Sequence, residues 1–223
     1  TKQALAFLST ILIAAILGFL LRRVFPLQRP DIFSKEGFVI VAMAWVTLSL
    51  VGALPFTISG AIPNYIDALF ETVSGFTTTG ATLLNDVEKL SYSIQFWRCF
   101  THWIGGMGVL VFILAILPLA GGEHNLQLMK AESPGPSVSK LVPRLRETAI
   151  MLYKIYFGMT VVMVILLILG KMPVFDALCI AFGTAGTGGF GVLNSSLASY
   201  GTYVQIVTTV FMMLFGVNFS FYF

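Results

Sequence analysis

Two clusters of threonine and glycine, Thr77-Thr78-Thr79-Gly80 and Gly186-Thr187-Gly188-Gly189, are suited to coordinating a cation through backbone carbonyl oxygens. Glycine permits the dihedrals that turn successive carbonyls toward one axis, and carbonyls so arranged replace the water around an alkali ion. Neither cluster contains a carboxylate, so a weakly hydrated monovalent cation fits it better than a tightly held divalent one. No activated nucleophile, acid–base pair, metal-ligand spacing or phosphate-binding loop accompanies the clusters, and the chain does not read as an enzyme.

The clusters are one feature written twice. DALFETVSGFTTTGATLLN at 67–85 returns 109 positions later as DALCIAFGTAGTGGFGVLN at 176–194, with no residue inserted or deleted. A single Thr/Gly turn could merely let helices pack, or form an external turn. Two in-register copies at the same place in the chain favour a shared role. Each copy runs from a short apolar segment into the cluster, which predicts a short helix feeding an irregular loop. Asp67 and Asp176 suit the positive first turn of that helix, and its opposite end directs partial negative charge at the loop, again favouring a cation.

These loops must be positioned by segments of unusual composition. Of 223 residues, 57% are hydrophobic and 10% charged, and mean hydropathy is +0.90; an ordinary soluble domain carries roughly 25% charge. The chain therefore reads as an all-alpha, polytopic membrane protein. Apolar runs at 4–21, 37–56, 92–119 and 148–169 are long enough to cross a hydrocarbon core, and 203–223 starts another. The short helices are expected at 62–76 and 174–185. The order is span, short helix, Thr/Gly loop, span, twice over: a preceding helix and loop at 1–36, a first repeat at 37–119, a connection at 120–147 and a second repeat at 148–223. Gln205 and Gly216 follow Gln95 and Gly106 by 110, so the closing span is repeated too.

Arg22, Arg23, Arg29 and Lys35 lie in the first connection, and Lys130, Lys140, Arg144 and Arg146 in the central one. Asp67, Glu71, Asp86, Glu88 and Asp176 flank the Thr/Gly loops, against only Lys89 and Lys171. The positive-inside rule puts the basic loops in the cytoplasm and the mouths of the Thr/Gly loops outside. No aromatic residues interleave the basic ones, so nucleic acid is not a partner. Cys99 and Cys179 sit in apolar surroundings and read as small buried hydrophobes. Arg98 is expected to snorkel toward the outer surface or pair with Glu71 rather than lie buried. His102, among aromatics, reads as a packed, hydrogen-bonded group rather than an ion ligand.

From the loops outward the sequence resembles the Trk/Ktr/HKT potassium transporter family, above all its bacterial potassium-uptake membrane subunits. EGFVIV, VGALPF, DALFETVSGFTTTGATLL, FWRCFTHWIGGMG, ILPL, AESPGP and PRLRETA carry the resemblance across nearly the whole chain. It implies four helix–pore-loop–helix repeats, like those of a potassium-channel pore, around one central pathway. Thr77, Thr78, Thr79, Gly80, Gly186, Thr187, Gly188 and Gly189 would belong to its potassium filter. Gly80 and Gly189 match the filter glycines, which go with potassium preference where serine accompanies sodium. It further implies a homodimer of complete subunits in a bacterial inner membrane, seated on a cytosolic nucleotide-binding regulatory ring of the TrkA kind that faces 121–147. No bound cofactor is implied, and coupling to sodium or protons stays open. Two of the four repeats are present here, so the expectation is a portion of a longer protein, with two copies of a half-size protein around one pore as the lesser alternative. The family's gating loop and its basic residue in the last helix have no counterpart in this sequence. Competing functions are a sodium-coupled or sodium-conducting secondary carrier, and a non-transporting membrane scaffold.

Overall fold

The computed structural model describes residues 2–24, 34–108, 145–217 and 222, with the backbone alone at 34–38 and 145–149. Among the described residues there are eight α-helices and no strand: α1 (Lys2–Val24), α2 (Ser34–Gly52), α3 (Leu54–Ser59), α4 (Tyr65–Phe76), α5 (Tyr92–Gly106), α6 (Leu145–Leu169), α7 (Val174–Ala185) and α8 (Thr202–Gly216). Among the described residues three stretches are long and apolar enough to span a membrane: Lys2–Val24, Val39–Ser59 and Ile150–Leu169. Arg22 and Arg23 occupy the last turn of α1, where cations complement the helix dipole. The second span is interrupted at Ala53, just before Pro55, whose ring cannot continue a regular helix; the chain resumes as α3.

The repeat seen in the sequence is a repeat of structure. α4 and α7 are both 12 residues long and start 109 positions apart; α5 and α8 are both 15 residues long and start 110 apart. The extra residue therefore falls in the connection between loop and closing helix. α4 begins at Tyr65 rather than Ile62 because the Asn64 side chain caps it, accepting the Ile66 amide at 3.0 Å. The third span begins at Tyr92 as expected, but α5 ends at Gly106; 109–119 lie outside the described residues, as do Arg29, Lys130, Lys140 and Arg144 of the basic connections.

α5 is the centre of the packing. It lies against α4 of its own repeat and against α7 of the next, while α6 and α8 close on α7. Its terminal glycines make this possible. A methyl on Gly105 would overlap the Phe76 carbonyl, and one on Gly106 would stand 2.9 Å from the Gly186 Cα. Trp103 ties the far side down: its indole donates to Thr160 Oγ1 at 3.1 Å, and its carbonyl accepts from the Tyr156 hydroxyl at 2.9 Å. Cys99 and Cys179 are buried free thiols packed with Phe190 and Val192, and Cys99 Sγ also donates to Phe190 O at 3.9 Å.

Candidate functional site

The turns that follow α4 and α7 are built identically, bond for bond. The amides of Thr77, Thr78, Thr79 and Gly80 donate to the carbonyls of Val73, Gly75, Ser74 and Ser74; those of Gly186, Thr187, Gly188 and Gly189 donate to Phe182, Thr184, Gly183 and Gly183. Every donor and acceptor is displaced by 109. The dihedrals repeat as well: φ is 54° at both Thr78 and Thr187, 76° at Gly80 and 86° at Gly189. Glycine adopts that region freely, but a β-branched threonine is strained there by about 1–3 kcal/mol. Two threonines held at the same unfavourable angle point to a backbone shape that matters more than local comfort.

That shape spends the amides on the helix ends and leaves the oxygens over. Among the described residues, the carbonyls of 77–80 and 186–189 accept no hydrogen bond from the protein. The two loops also meet. A methyl on Gly80 would overlap the Gly188 carbonyl oxygen, and one on Gly188 would lie 2.8 Å from the Thr78 oxygen. All eight residues singled out from the sequence therefore belong to two adjoining turns at the C-terminal ends of two short helices. Among the described residues no group of three or more His, Cys, Asp or Glu could hold a metal.

Behind the loops stands a polar stripe of α5: Gln95, Arg98, Cys99 and His102, at the i, i+3, i+4, i+7 spacing of one helix face. Gln95 Nε2 donates to Val87 O at 2.8 Å and to Val192 O at 3.4 Å. Gln205 repeats the first of these bonds 110 residues later, onto Leu197 O. Arg98 neither snorkels nor stays near the surface: it is 3% exposed and pairs through Nε with Glu71, itself 1% exposed. Burial is tolerated because the charges are satisfied on every side. Glu71 accepts from Thr82 Oγ1 at 2.8 Å and from the Leu83 amide at 3.2 Å, so it anchors the outgoing segment of its own loop. Arg98 donates to Gly191 O at 3.2 Å and lies 3.6 Å over the Phe190 ring, so it holds the other loop. Glu71 is thus an internal strut and not a charge of the outer mouth.

His102 is packed as the sequence indicates, fully buried, with Nδ1 accepting the Phe190 amide at 3.4 Å. Its presence explains why the loops differ in composition. A methyl on Gly186 would stand 2.6 Å from the His102 carbonyl, and one on Gly188 would overlap His102 Nε2. The second loop therefore needs glycine at both positions. Thr77 and Thr79 occupy the equivalent places in the first loop, where they are exposed; their hydroxyls bond each other at 2.8 Å.

At the outer rim Asn194 latches the repeats together. Its side chain accepts the Val87 amide at 2.8 Å and donates to Asp86 at 2.9 Å, while its amide donates to Glu88 at 2.9 Å. The Asn194 amide, and then Lys89, hold the Asp86 carboxyl below its ordinary value. A carboxylate favoured by folding stabilises the fold above its unfolded pKa, and that contribution is lost as pH falls through the lowered value. Asn194→Ala in the full-length protein is accordingly expected to lower thermal stability, by about 1 kcal/mol for the stranded Val87 amide. The loss should begin to shrink below about pH 4, the ordinary carboxylate pKa, and shrink further as pH falls through the lowered value, where Asp86 protonates in the folded wild type. Melting curves in detergent at neutral and acid pH check this; an equal loss at both would remove Asp86 from the latch.

Comparison with known proteins places this geometry. A family model described as TrkH, cation transport protein, matches residues 4–223. Similar curated proteins include the Trk system potassium uptake protein TrkH of Salmonella typhimurium, 38% identical over 98% of the chain and 46% of the relative. Others are the Trk system potassium uptake protein TrkG of Escherichia coli (37%; 84% of the chain, 39% of the relative) and an uncharacterized cation transporter of Methanocaldococcus jannaschii (35%; 96% and 44%). The crystal structure of the potassium transporter TrkH from Vibrio parahaemolyticus superposes with a TM-score of 0.80 at 31% identity, over 99% of this chain and 44% of that one. The chain thus spans about half the length of the relatives it matches.

Proposed function

The chain belongs to the TrkH family of cation transport proteins, and on that premise we propose that it supplies two of the carbonyl-lined segments of a potassium-selective pathway in a membrane-embedded uptake subunit. One observation carries the proposal: two adjoining, identically hydrogen-bonded turns whose carbonyls have no protein donor among the described residues, in a chain with three membrane-length apolar helices. Irregular backbone at membrane depth persists only inside protein or beside a water-filled path. Cation coordination gives those oxygens a partner. Thr77, Thr78, Thr79 and Gly80 form one filter segment, and Gly186, Thr187, Gly188 and Gly189 the next.

Further units of the same kind complete the pathway. Phe70 is 43% exposed and Leu83 51%, whereas their counterparts 109 residues on, Cys179 and Val192, are 0% and 3% exposed beneath α5. The first repeat lacks the cover that it gives the second. Residues 37–119 and 148–223 are the two repeats, preceded by 1–36 and joined by 120–147. The complete subunit is a multi-pass protein of a bacterial inner membrane that pairs as a homodimer on a cytosolic nucleotide-binding ring.

The test is cation flux through the full-length protein in proteoliposomes. Rubidium uptake is expected, competed by potassium at concentrations where sodium has little effect. Flux that strictly requires a second ion would establish a coupled carrier instead, and absence of flux in a folded protein would leave a scaffold.

A further inference from the structure

We infer that His102 is a positioning residue for cation selectivity: through Nδ1 it fixes the second filter loop against the first, so that discrimination between potassium and sodium depends on that one hydrogen-bond acceptor. The inference rests on the potassium-pathway reading above and assigns the part of the protein that sets the spacing between the two loops.

His102 sits where the loops adjoin. Its Nδ1 accepts the Phe190 amide at 3.4 Å, and its ring lies against the Phe190 ring with centroids 4.0 Å apart. Phe190 immediately follows Gly186-Thr187-Gly188-Gly189, so this bond holds the exit of the second loop. The same ring abuts Gly188, whose replacement by any residue with a Cβ would overlap Nε2. Gly188 in turn touches the first loop through Thr78 and Gly80. One side chain therefore holds the exit of the second loop and abuts Gly188, the residue through which that loop meets the first.

The tautomer follows from the bonding. A backbone amide can only donate, so Nδ1 must carry the lone pair and Nε2 the hydrogen. Nε2 is buried with no hydrogen-bond partner among the described residues, as is Ser74 Oγ. Ser74 lies within electrostatic reach of the ring, and its carbonyl receives the Thr79 and Gly80 amides of the first loop. The charged group that acts on His102 is Arg98, one turn away on α5, which is paired with Glu71 of α4.

A ring that served only to fill space would be replaced adequately by any residue of similar bulk. A positioning acceptor would not. Asparagine places Oδ1 at the same number of bonds from Cα as Nδ1, so His102→Asn keeps the acceptor for the Phe190 amide. His102→Leu keeps volume and removes it, and His102→Gln moves the polar group out to the place of Nε2.

The experiment measures the ratio of potassium to sodium in competing rubidium uptake by the full-length protein in proteoliposomes, normalised to folded protein. His102→Leu and His102→Gln are expected to lower the ratio by about tenfold, a change of about 1.4 kcal/mol, and His102→Asn to keep it within about twofold. Nitrogen NMR of labelled histidine should show a neutral ring with the proton on Nε2. A leucine variant as selective as the wild type, an asparagine variant no better than leucine, or a proton on Nδ1 each overturns the inference while leaving the potassium pathway standing. A wild-type protein that does not discriminate overturns the pathway reading, and this inference with it.

Discussion

Replacing Arg98 with methionine is expected to destabilise the full-length protein by about 3–5 kcal/mol, because it strands the Glu71 carboxylate in the interior. Arg98 is 3% and Glu71 1% exposed, so water cannot take over the lost partner. The change also removes the bond to Gly191 O and the cation over Phe190. The double variant Glu71→Gln with Arg98→Met should be more stable than Arg98→Met alone, since the uncompensated charge is gone. Breaking a buried pair on one side is worse than replacing both sides. Unfolding in detergent of the wild type, both single variants and the double variant measures the coupling. If Arg98→Met matches the wild type, or if the double variant is no more stable than the single, the pair does not hold the loops.

Gly80→Ser is expected to lower potassium-over-sodium selectivity by about tenfold or more, the largest functional effect of any single substitution in the loops. Two effects add. The residue sits at φ 76°, where an L side chain is strained by about 1–2 kcal/mol. Its Cβ would also overlap the Gly188 carbonyl oxygen, so either the loops separate or that oxygen turns away. Gly189 offers the internal control. Its φ is 86°, but an added methyl there meets nothing within 4 Å among the described residues. Gly189→Ala should therefore show the strain alone and a smaller loss. Competition of rubidium uptake by potassium and sodium in the two variants checks the order; an equal loss at both positions would mean that contact between the loops does not set selectivity.

The helical elements and the two turns were legible because both rest on local chemistry. Apolar runs, Asp67 and Asp176 in first turns, and glycine where φ is positive are properties of neighbouring residues, and the 109-residue repeat doubles each signal. The pairing of Arg98 with Glu71 and the packed, hydrogen-bonded His102 were legible too, but the loop they hold was not. Gln95, Arg98, Cys99 and His102 form a visible polar stripe, but the surface it meets lies 88–97 residues away at Phe190, Gly191 and Val192. Nothing in either segment encodes the other. Counting charges along the chain placed Glu71 at the outer mouth, because the count ignores helix phase; Glu71 shares its face with Ala68 and Thr72, both buried. The difference between TTTG and GTGG likewise has no explanation until α5 is seen setting the His102 carbonyl and ring against Gly186 and Gly188.

That closure gives the junction between the repeats a direction. The α5 face of the first repeat grips the loop of the second, whereas among the described residues α8 packs chiefly on α6 and α7 of its own repeat, so the contact is head-to-tail and not self-complementary. Contacts of this kind join units in one rotational sense and end only when a turn closes on itself. The chain therefore carries two unlike ends: a socket formed by Phe70, Leu83 and the first Thr/Gly loop, and a plug formed by α8, on which Met213 is 69% exposed where Trp103 of α5 is 9% exposed. Socket on socket would leave both plugs bare; a plug seated in a socket covers one of each.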